Sequence, residues 1–380
     1  MSEEIYAIGL LSGTSADAID AVLVQTDGLS PPKVRIATTT PLEEQIRQEI
    51  FNLYEPAPGE LDRLGALDRH LGELFAQAAL HLCHQANLRP DQVHVIGSHG
   101  QTVRHRPPIF TLQIGNPFII SARTGIPTVA NFRLADMARG GDGAPLTPLF
   151  HHCLFARPGQ RVGVLNLGGI ANLTILPDDQ KGLLLGGDTG PANTLLDLLA
   201  QQVSHGEQQC DMNGAEAARG KVHKAALDWL MDHPFIKQPL PKSTGREVFG
   251  ASYLAQFLTH FAWLSVADLF ATLTQFTVSS VLSALKDQVV LDQLILCGGG
   301  AKNAHMVTLL QQGLPSTQVI PSNVIGIDSD SLESQAFAWF AVRTLRGLTS
   351  SLPRATGATM EAVLGAIHPV TKIPQTTSFL

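Results

Sequence analysis

Cysteine is scarce in this 380-residue chain. Its four cysteines are Cys83, Cys153, Cys210 and Cys297, which lie far apart and form no Cys-x-x-Cys pair. Zinc sites and disulfide frameworks need closely spaced or regularly arranged cysteines. The spacing therefore indicates reduced thiols and excludes a zinc or disulfide scaffold.

The sequence also lacks basic blocks and long apolar runs. Its formal net charge is −7, which argues against a nucleic-acid-binding protein. No apolar run approaches the ~20 residues that a membrane-spanning helix requires. The acidic start, Met1–Glu4, lacks the basic segment of a signal peptide. We expect a cytoplasmic globular protein.

What the chain does have is glycine, 34 residues of it, often grouped directly after apolar runs. Glycine lets a turn or a ligand approach the backbone closely. The length is large for a single hydrophobic core, so we expect two domains.

Asp188 is the single carboxylate in the stretch from Leu183 to Asn193. Leu183–Leu185 predict a buried strand that ends at the following glycine pair, and Thr194–Ala200 predict a helix. Between them, Asp188 would lie at the mouth of a tight turn. A carboxylate there could act as a base beside a bound phosphate, or simply cap the helix, and the residues alone leave both open.

The N-terminal segment predicts a hairpin. Ile5–Leu11 and Ala18–Thr26 read as strands, joined by a small polar turn. Its backbone N–H groups suit a phosphate, and Asp17 and Asp20 suit Mg²⁺. An ordinary polar hairpin would have the same pattern.

A second unit of strand, glycine turn and strand begins at Arg161 and contains Gly168. It matches the N-terminal hairpin, which suggests two related half-domains that present backbone loops to one ligand. Two unrelated hairpins remain the alternative.

Other polar clusters follow predicted strands. Val93–Gly97 precede Ser98–Thr102, and Arg104 and Arg106 come soon after. In open α/β sheets, strand ends bind ligands, and arginines can clamp a carboxylate, although a solvated loop would look the same. Arg133, directly after the strand Thr128–Phe132, is a candidate substrate contact.

A glycine run, Gly298–Gly300, lies between a predicted strand and a helix. Such a run allows a flat ligand or a phosphate to approach the backbone. It is not a dinucleotide-binding GxGxxG, because Asn303 stands at the third glycine position.

Five motifs in order resemble anhydro-N-acetylmuramic acid kinases over residues 5 to 368. They are Leu11-Ser-Gly-Thr-Ser-Ala-Asp-Ala-Ile-Asp20, Gly97-Ser-His-Gly-Gln-Thr-Val-Arg-His-Arg-Pro107, Leu165-Asn-Leu-Gly-Gly-Ile-Ala-Asn-Leu-Thr174, Gly187-Asp-Thr-Gly-Pro-Ala-Asn193 and Cys297-Gly-Gly-Gly-Ala-Lys-Asn303. The resemblance implies an α/β protein with the two-domain actin-like ATPase (ribonuclease H-like) fold and ATP in the cleft between the lobes. We expect lobe I at residues 1–128 plus about 346–380, and lobe II at 129–345.

The resemblance also implies a reaction. ATP would phosphorylate the 6-oxygen of 1,6-anhydro-N-acetylmuramic acid while water opens the anhydro bridge, in peptidoglycan recycling. ATP and Mg²⁺ would be the cofactors, and the protein would be a cytoplasmic homodimer. Another sugar or small-acid kinase without ring opening is the alternative. A nucleotide-dependent chaperone is disfavoured, because 380 residues leave no room for a peptide-binding domain.

The resemblance assigns roles to individual residues. Asp188 would be the catalytic base, and Asp17 would hold the metal. Arg133, Glu333, Gln101 and Thr102 would bind the sugar. The nucleotide-binding residues would be Gly13, Thr14, Ser15, Ala16, Asp17, Ala18, Ile19, Asp20, Asn166, Gly168, Gly169, Gly190, Gly298, Gly299 and Gly300.

Four residues depart from the family pattern. Ala16 and Ala18 stand in place of leucine and glycine, Asn131 in place of aspartate, and Ala192 in place of glycine. Alanine narrows the backbone angles that are available at the two glycine positions.

Overall fold

A computed structural model describes residues 3–13, 15–176, 185–286, 288 and 290–370. Its strands are β1 (Ile5–Ser12), β2 (Ala18–Thr26), β3 (Lys33–Pro41), β4 (Val95–Arg106), β5 (Phe110–Ile114), β6 (Thr128–Ala130), β7 (Val162–Leu167), β8 (Ile170–Leu176), β9 (Leu185–Pro191), β10 (Gln293–Cys297), β11 (Gln318–Pro321) and β12 (Ala366–His368). Its α-helices are α1 (Glu44–Phe51), α2 (Glu60–Gln85), α3 (Pro117–Thr124), α4 (Leu134–Met137), α5 (Pro148–Phe155), α6 (Asn193–Val203), α7 (Ala215–Arg219), α8 (Lys224–Met231), α9 (Ala251–His260), α10 (Val266–Leu285), α11 (Ala304–Gly313), α12 (Leu332–Leu345) and α13 (Pro353–Thr356).

The chain forms two compact units. Unit 1 comprises residues 1–146 and 333–380, and unit 2 comprises residues 147–332. The boundaries expected from the sequence lie at 128/129 and 345/346. The difference has a physical cause, because β6 pairs with β4 and β12 in the sheet of unit 1, and the backbone of α12 packs against that same sheet.

The sheet of unit 1 has seven strands in the order β12-β6-β4-β1-β2-β3, with β5 paired to β4. Strands β1, β2 and β3 form an antiparallel meander. Strand β4 lies parallel to β1, and β6 lies parallel to β4.

The sheet of unit 2 has five strands in the order β11-β10-β7-β8-β9. Here β7, β8 and β9 form the antiparallel meander, β10 lies parallel to β7, and β11 lies parallel to β10. The order β6-β4-β1-β2-β3 of unit 1 therefore recurs strand for strand. This topology agrees with the prediction of two related half-domains and confirms the predicted two-domain α/β class.

Each unit has its own apolar core. The core of unit 1 lies between the sheet and α2, whose buried face includes Leu71, Phe75 and Leu82. The core of unit 2 gathers α6, α9 and α10 around β7 and β8. Within the described residues, α10 alone is long and apolar enough to cross a membrane by length and composition, and 61% of its apolar window is buried inside the protein.

Two predicted strand ends are wrong. The structure continues the strand that was predicted to end at Gly97 as far as Arg106, because β5 folds back and pairs with its second half. The strand that was predicted to end at Gly186–Gly187 continues to Pro191. Leu183 and Leu184, which were assigned to that strand, lie outside the described residues.

Candidate functional site

Asp188 lies inside β9, where its register partner is Asn172 of β8. Both the tight turn and the helix cap predicted for it are wrong, because α6 begins only at Asn193 with Ala192 as its N-cap. Gly187, which precedes Asp188, allows the backbone of Lys242 to lie close to β9 and does not form a turn. A Cβ on Gly187 would lie 3.0 Å from the backbone of Lys242, whose carbonyl accepts the Asp188 N–H at 2.8 Å.

Hydrogen-bond donors from two directions hold the carboxylate of Asp188. The Asn172 side-chain amide donates to Oδ1 at 2.8 Å. The Thr244 backbone N–H and the Ser243 hydroxyl donate to Oδ2 at 2.8 and 3.1 Å. We call Asp188, Asn172, Ser243 and Thr244 the base site. Because three donors point at the two oxygens, the carboxylate has a defined orientation.

The base site changes how readily Asp188 ionises. Burial raises its pKa above the usual aspartate value, and the negative charge of Glu247 acts in the same direction. The hydrogen bonds from Asn172, Thr244 and Ser243 lower the pKa and offset part of that rise. A carboxylate with a raised pKa is a stronger base when it is ionised, which favours proton abstraction.

The glycine run Gly298–Gly300 packs directly on the turn between β7 and β8. Gly298 has a φ of +77°, and a Cβ there would lie 2.4 Å from Asn166 Oδ1. A Cβ on Gly300 would lie 2.7 Å from the side chain of Leu167. Glycine is thus required at both positions, and the run forms with Asn166, Gly168 and Gly169 a backbone surface that we call the glycine site.

The N-terminus of α6 is tied to this same turn. The N–H groups of Ala192 and Thr194 donate to Gly169 O at 2.9 and 3.1 Å, and that of Asn193 donates to Gly168 O at 3.0 Å. These donors are therefore engaged within the protein, so a phosphate at the glycine site would have to use other N–H groups. The Ala192 backbone has φ −112° and ψ −97°, a conformation that lies in neither the α nor the β region.

Gly190 lies apart from the glycine site. It is buried in β9, opposite Ala171, and a Cβ on it would lie 2.9 Å from Ser280 Oγ of α10. Its position indicates a packing contact between strand and helix. Its nucleotide-binding role therefore stays a prediction without a contact in its favour.

In unit 1, the turn between β1 and β2 is closed by a hydrogen bond from Ala16 N–H to Gly13 O at 3.0 Å. Ala16 has a φ of +49°, an uncommon conformation for alanine. The exposed Asp17 accepts a hydrogen bond from the Ser15 hydroxyl at 2.7 Å. Asp20 Oδ1 accepts from the Thr39 hydroxyl at 2.7 Å. Thr14, predicted to bind the nucleotide, lies outside the described residues.

Three predicted nucleotide-binding residues in the turn and at the start of β2 have buried side chains. Ala16, Ala18 and Ile19 are at most 9% exposed. Only their backbone groups could therefore contact a nucleotide. Ala18 is an ordinary strand residue of β2, so replacing the family's glycine brings no conformational cost.

Arg133 lies at the N-cap of α4, three residues after β6. Its Nε and Nη2 groups both donate to His99 Nε2, at 3.2 and 3.1 Å, and Nη1 donates to Gly143 O at 3.2 Å. A guanidinium held along one edge is suited to a planar anionic group such as a carboxylate.

Gln101 and Thr102 lie in β4 and point in opposite directions. Gln101 is fully buried, and its amide nitrogen donates to Thr102 O at 3.1 Å. Its Oε1 is buried and has no hydrogen-bond partner among the residues that the structure describes. Thr102 Oγ1 accepts from Gln113 Nε2 at 3.3 Å. The structure thus places the two predicted sugar contacts on different faces of the sheet.

Glu333 is half-buried in the first turn of α12. The next residue, Ser334, contacts the sheet of unit 1 through its carbonyl, because Gly9 has no side chain to keep the helix away. This contact fixes the height of the first turn above the sheet, and with it the position of Glu333.

The predicted carboxylate clamp by Arg104 is wrong. Its Nη groups donate to the Glu60 carboxylate at 2.6 and 3.2 Å, and its Nε donates to Leu53 O at 3.1 Å. Arg104 therefore joins β4 to the segment that precedes α2. Arg106 is exposed at the end of β4.

Sequence reasoning missed the residues that hold these groups. Asn172 lies in a recognised motif but was given no role, and Ser243 and Thr244 lie in an irregular segment that could either line a pocket or connect elements. His99 read equally well as a structural histidine. The sequence signal for Asn172 and His99 was that each is a polar residue within a motif. That signal does not reveal which residue each of them contacts.

Comparisons with known proteins agree with the motifs. The family model "Anhydro-N-acetylmuramic acid kinase" matches residues 5–370. The anhydro-N-acetylmuramic acid kinase of Shewanella amazonensis is 45% identical over 97% of this chain and 100% of that protein. The protein of the same name from Shewanella oneidensis is 43% identical over 95% of this chain and 97% of its own length.

Solved structures of lower similarity were also found. The activator of the 2-hydroxyisocaproyl-CoA dehydratase from Clostridium difficile with bound ADPNP is 14% identical, covering 90% of this chain and 96% of that chain at a TM-score of 0.47. A ROK family glucokinase from Streptomyces griseus in complex with glucose and AMPPNP is 13% identical, covering 88% and 99% at a TM-score of 0.40. On the family model and the Shewanella relatives, the chain belongs to the anhydro-N-acetylmuramic acid kinase family.

Proposed function

We propose that this protein is an ATP-dependent kinase that converts 1,6-anhydro-N-acetylmuramic acid and water to N-acetylmuramic acid 6-phosphate, with release of ADP, in peptidoglycan recycling. The family match over residues 5–370 supports the substrate and the reaction class. The observation that supports the mechanism is the base site, where three donors orient a carboxylate whose pKa is raised.

Asp188 is the proposed general base. It takes a proton from a water molecule, and the oxygen of that water forms a bond to carbon 1 of the sugar. The bond between carbon 1 and the 6-oxygen then breaks, and the electron pair stays on the 6-oxygen. The donors of Asn172 and Thr244 keep Asp188 aimed during this step, and positioning of this kind carries much of the rate enhancement.

The released 6-oxygen attacks the γ-phosphorus of ATP in line, and ADP leaves. Phosphoryl transfer depends mainly on positioning and on neutralising charge. The glycine site is the proposed surface for the nucleotide, because the absence of side chains at Gly298 and Gly300 lets a flat group approach the backbone.

Mg²⁺ fits the oxygen donors of the turn between β1 and β2. Mg²⁺ is usually held by one or two carboxylates together with phosphate oxygens and water. Asp17 is exposed and Asp20 is half-buried on the same hairpin. These two carboxylates are the proposed protein ligands, and the ion would neutralise charge on the phosphates. Within the residues that the structure describes, His, Cys, Asp and Glu side chains form no group of three that could hold a metal ion.

Arg133 is proposed to bind the lactyl carboxylate, the group that distinguishes muramic acid from glucosamine. Glu333 and Gln101 are proposed to bind sugar hydroxyl or amide groups. For Gln101 the support is its buried Oε1, since a buried acceptor without a donor is costly and a ligand could satisfy it.

A cytoplasmic location and a homodimer are further parts of the proposal. The acidic, cysteine-poor composition supports the first, and the resemblance to the family supports the second. Light scattering during size-exclusion chromatography tests the proposed dimer. A measured mass equal to that of one chain would contradict it.

Ring opening separates this reaction from that of an ordinary sugar kinase. A coupled ADP assay should show turnover with the anhydro sugar and none without sugar. In water enriched in ¹⁸O, mass spectrometry should find one heavy oxygen at carbon 1 of the product, at a time short enough to precede exchange of the free sugar. A control in which the product is incubated without enzyme in the same water measures that exchange.

Two results would contradict the proposal. One is equal ADP formation with and without the anhydro sugar. The other is turnover of ordinary N-acetylmuramic acid at the same rate, which would mean that the protein phosphorylates a free hydroxyl and opens no ring.

A further inference from the structure

Arg133 is held from both sides by groups that nothing in the proposed reaction uses. On one side lies the imidazole of His99, which is 7% exposed. On the other lies the carbonyl of Gly143. The guanidinium spans β4 and the loop that follows α4.

The hydrogen bonds of His99 define its tautomer. Nδ1 lies 3.2 Å from Gly100 O, and a carbonyl only accepts, so Nδ1 carries the proton. Nε2 therefore presents its lone pair, and the two N–H groups of one guanidinium edge point at it. With one proton on Nδ1 and a lone pair on Nε2, both ring nitrogens have hydrogen-bond partners and the imidazole is neutral.

Two effects keep the ring neutral. Burial holds the pKa of His99 well below its usual value, and the positive charge of Arg133 acts in the same direction. The ring also packs on Phe337 of α12, with 4.6 Å between the ring centres. The contact with Phe337 of α12 therefore orients the plane of the ring, and Gly100 of β4 determines which nitrogen carries the proton.

The other side of Arg133 is equally fixed. Asp136 is fully buried, and its Oδ2 accepts the Gly143 N–H at 2.8 Å, while its Oδ1 accepts the Thr356 hydroxyl at 2.7 Å. The loop is thus anchored to α13, and the carbonyl of Gly143 is held in place for Nη1 of Arg133.

We propose that His99 is a positioning residue for substrate recognition, whose Nε2 lone pair fixes the plane of the Arg133 guanidinium for a carboxylate on the sugar. The inference rests on the proposed function and names the group that makes it selective for an acidic sugar. A guanidinium that is already oriented loses less freedom on binding, so the contact with a carboxylate is stronger.

The test compares two substrates and five proteins. The substrates are 1,6-anhydro-N-acetylmuramic acid and its lactyl methyl ester, which lacks the negative charge. The proteins are the wild type, His99→Phe, His99→Gln, Arg133→Ala and the control His151→Gln. Phenylalanine keeps the contact with Phe337 without an acceptor, and glutamine restores an acceptor oxygen. His151 is also buried and neutral, but its Nδ1 faces Thr174 in unit 2.

His99→Phe should raise KM for the acid roughly tenfold, the size of one hydrogen bond to a charged group, and change kcat less than twofold. KM for the ester should change less than twofold in the same variant. His99→Gln should recover most of the affinity for the acid, and His151→Gln should leave the ratio of the two KM values unchanged.

An unchanged KM for the acid in folded His99→Phe would overturn the inference, and so would an equal rise for acid and ester. If His99→Phe does not fold, His99→Gln alone decides, since it should keep the preference for the acid that Arg133→Ala loses. Nitrogen NMR of labelled histidine should also find the proton of His99 on Nδ1, and finding it on Nε2 would overturn the inference. A wild type without sugar-dependent ADP formation would instead contradict the proposed function.

Discussion

Gly9 and Gly97 are register partners on the parallel strands β1 and β4, and the backbone of α12 lies directly on both. A Cβ on Gly9 would lie 1.8 Å from Ser334 O, and a Cβ on Gly97 would lie 2.0 Å from Phe337 O. A helix this close to a sheet has no room for any side chain between them. The pair thus determines where the first turn of α12, with Glu333, lies above the sheet.

Gly9→Ala and Gly97→Ala should therefore destabilise the protein. Overpacking of a filled interior costs about 1–3 kcal/mol, and here the atoms in the way are backbone, so we expect the upper end. Thermal unfolding measures the loss. Gly65→Ala is the matched control, since Gly65 lies in α2 with nothing within 4 Å of an added Cβ. It should gain up to about 1 kcal/mol from helix propensity. Equal stability of Gly97→Ala and wild type would contradict the close contact.

Asp188→Asn should abolish most of the turnover. An amide cannot take a proton from water, and general base catalysis contributes about 10²- to 10⁴-fold, so kcat should fall by about that factor. The coupled ADP assay measures it. Asp211→Asn is the control, because Asp211 accepts the N–H groups of Glu216 and Ala217 and has only a capping role. If Asp188→Asn kept wild-type turnover while folded, Asp188 would not be the base.

The acid limb of the pH–rate profile should move in opposite directions in two sets of variants. The base must be ionised, so kcat falls as the pH drops below the pKa of Asp188. Asn172→Ala and Ser243→Ala remove donors that lower this pKa, so the limb should move to higher pH. Glu247→Gln removes a negative charge that raises the pKa, so its limb should move to lower pH. A shift of the same sign in both sets would contradict the assignment of the limb to Asp188.

The glycine site makes a prediction about the nucleotide. Gly298 and Gly326 have nearly the same φ, +77° and +79°. Among the described residues, an added Cβ would have neighbours within 4 Å at Gly298 and none at Gly326. Alanine at either position costs about 1–2 kcal/mol in backbone strain. Gly298→Ala should in addition displace Asn166 and raise KM for ATP by tenfold or more. Gly326→Ala should leave KM for ATP within twofold of wild type, and an equal effect of both variants would show that strain alone is responsible.

Local patterns predicted much of the fold, because helices and hairpins follow from short-range periodicity. Strand β2 has the bounds that the sequence predicted. The strand order of the sheets was beyond reach, since pairing joins segments far apart in the chain. Gly186–Gly187 illustrate the failure well. Glycine favours a turn by itself, but β8 on one side and Lys242 on the other supply partners that keep the pair extended.

The sequence singled out those members of the candidate site that carry a charged side chain. Asp188 and Arg133 stood out because a charged group directly after an apolar run needs an explanation. The groups that orient them did not stand out, because the contact forms only on folding. Ser243 lies 55 positions from Asp188, and His99 lies 34 positions from Arg133.

The place of Asp188 within a strand has a consequence for catalysis. Its main chain is joined to Asn172 on one side and to Lys242 on the other. Displacing the carboxylate would mean unzipping part of a sheet, which is a far larger disturbance than bending a loop. As the proposed base, Asp188 would therefore stay in place during the reaction, and sugar, water and nucleotide would have to reach it.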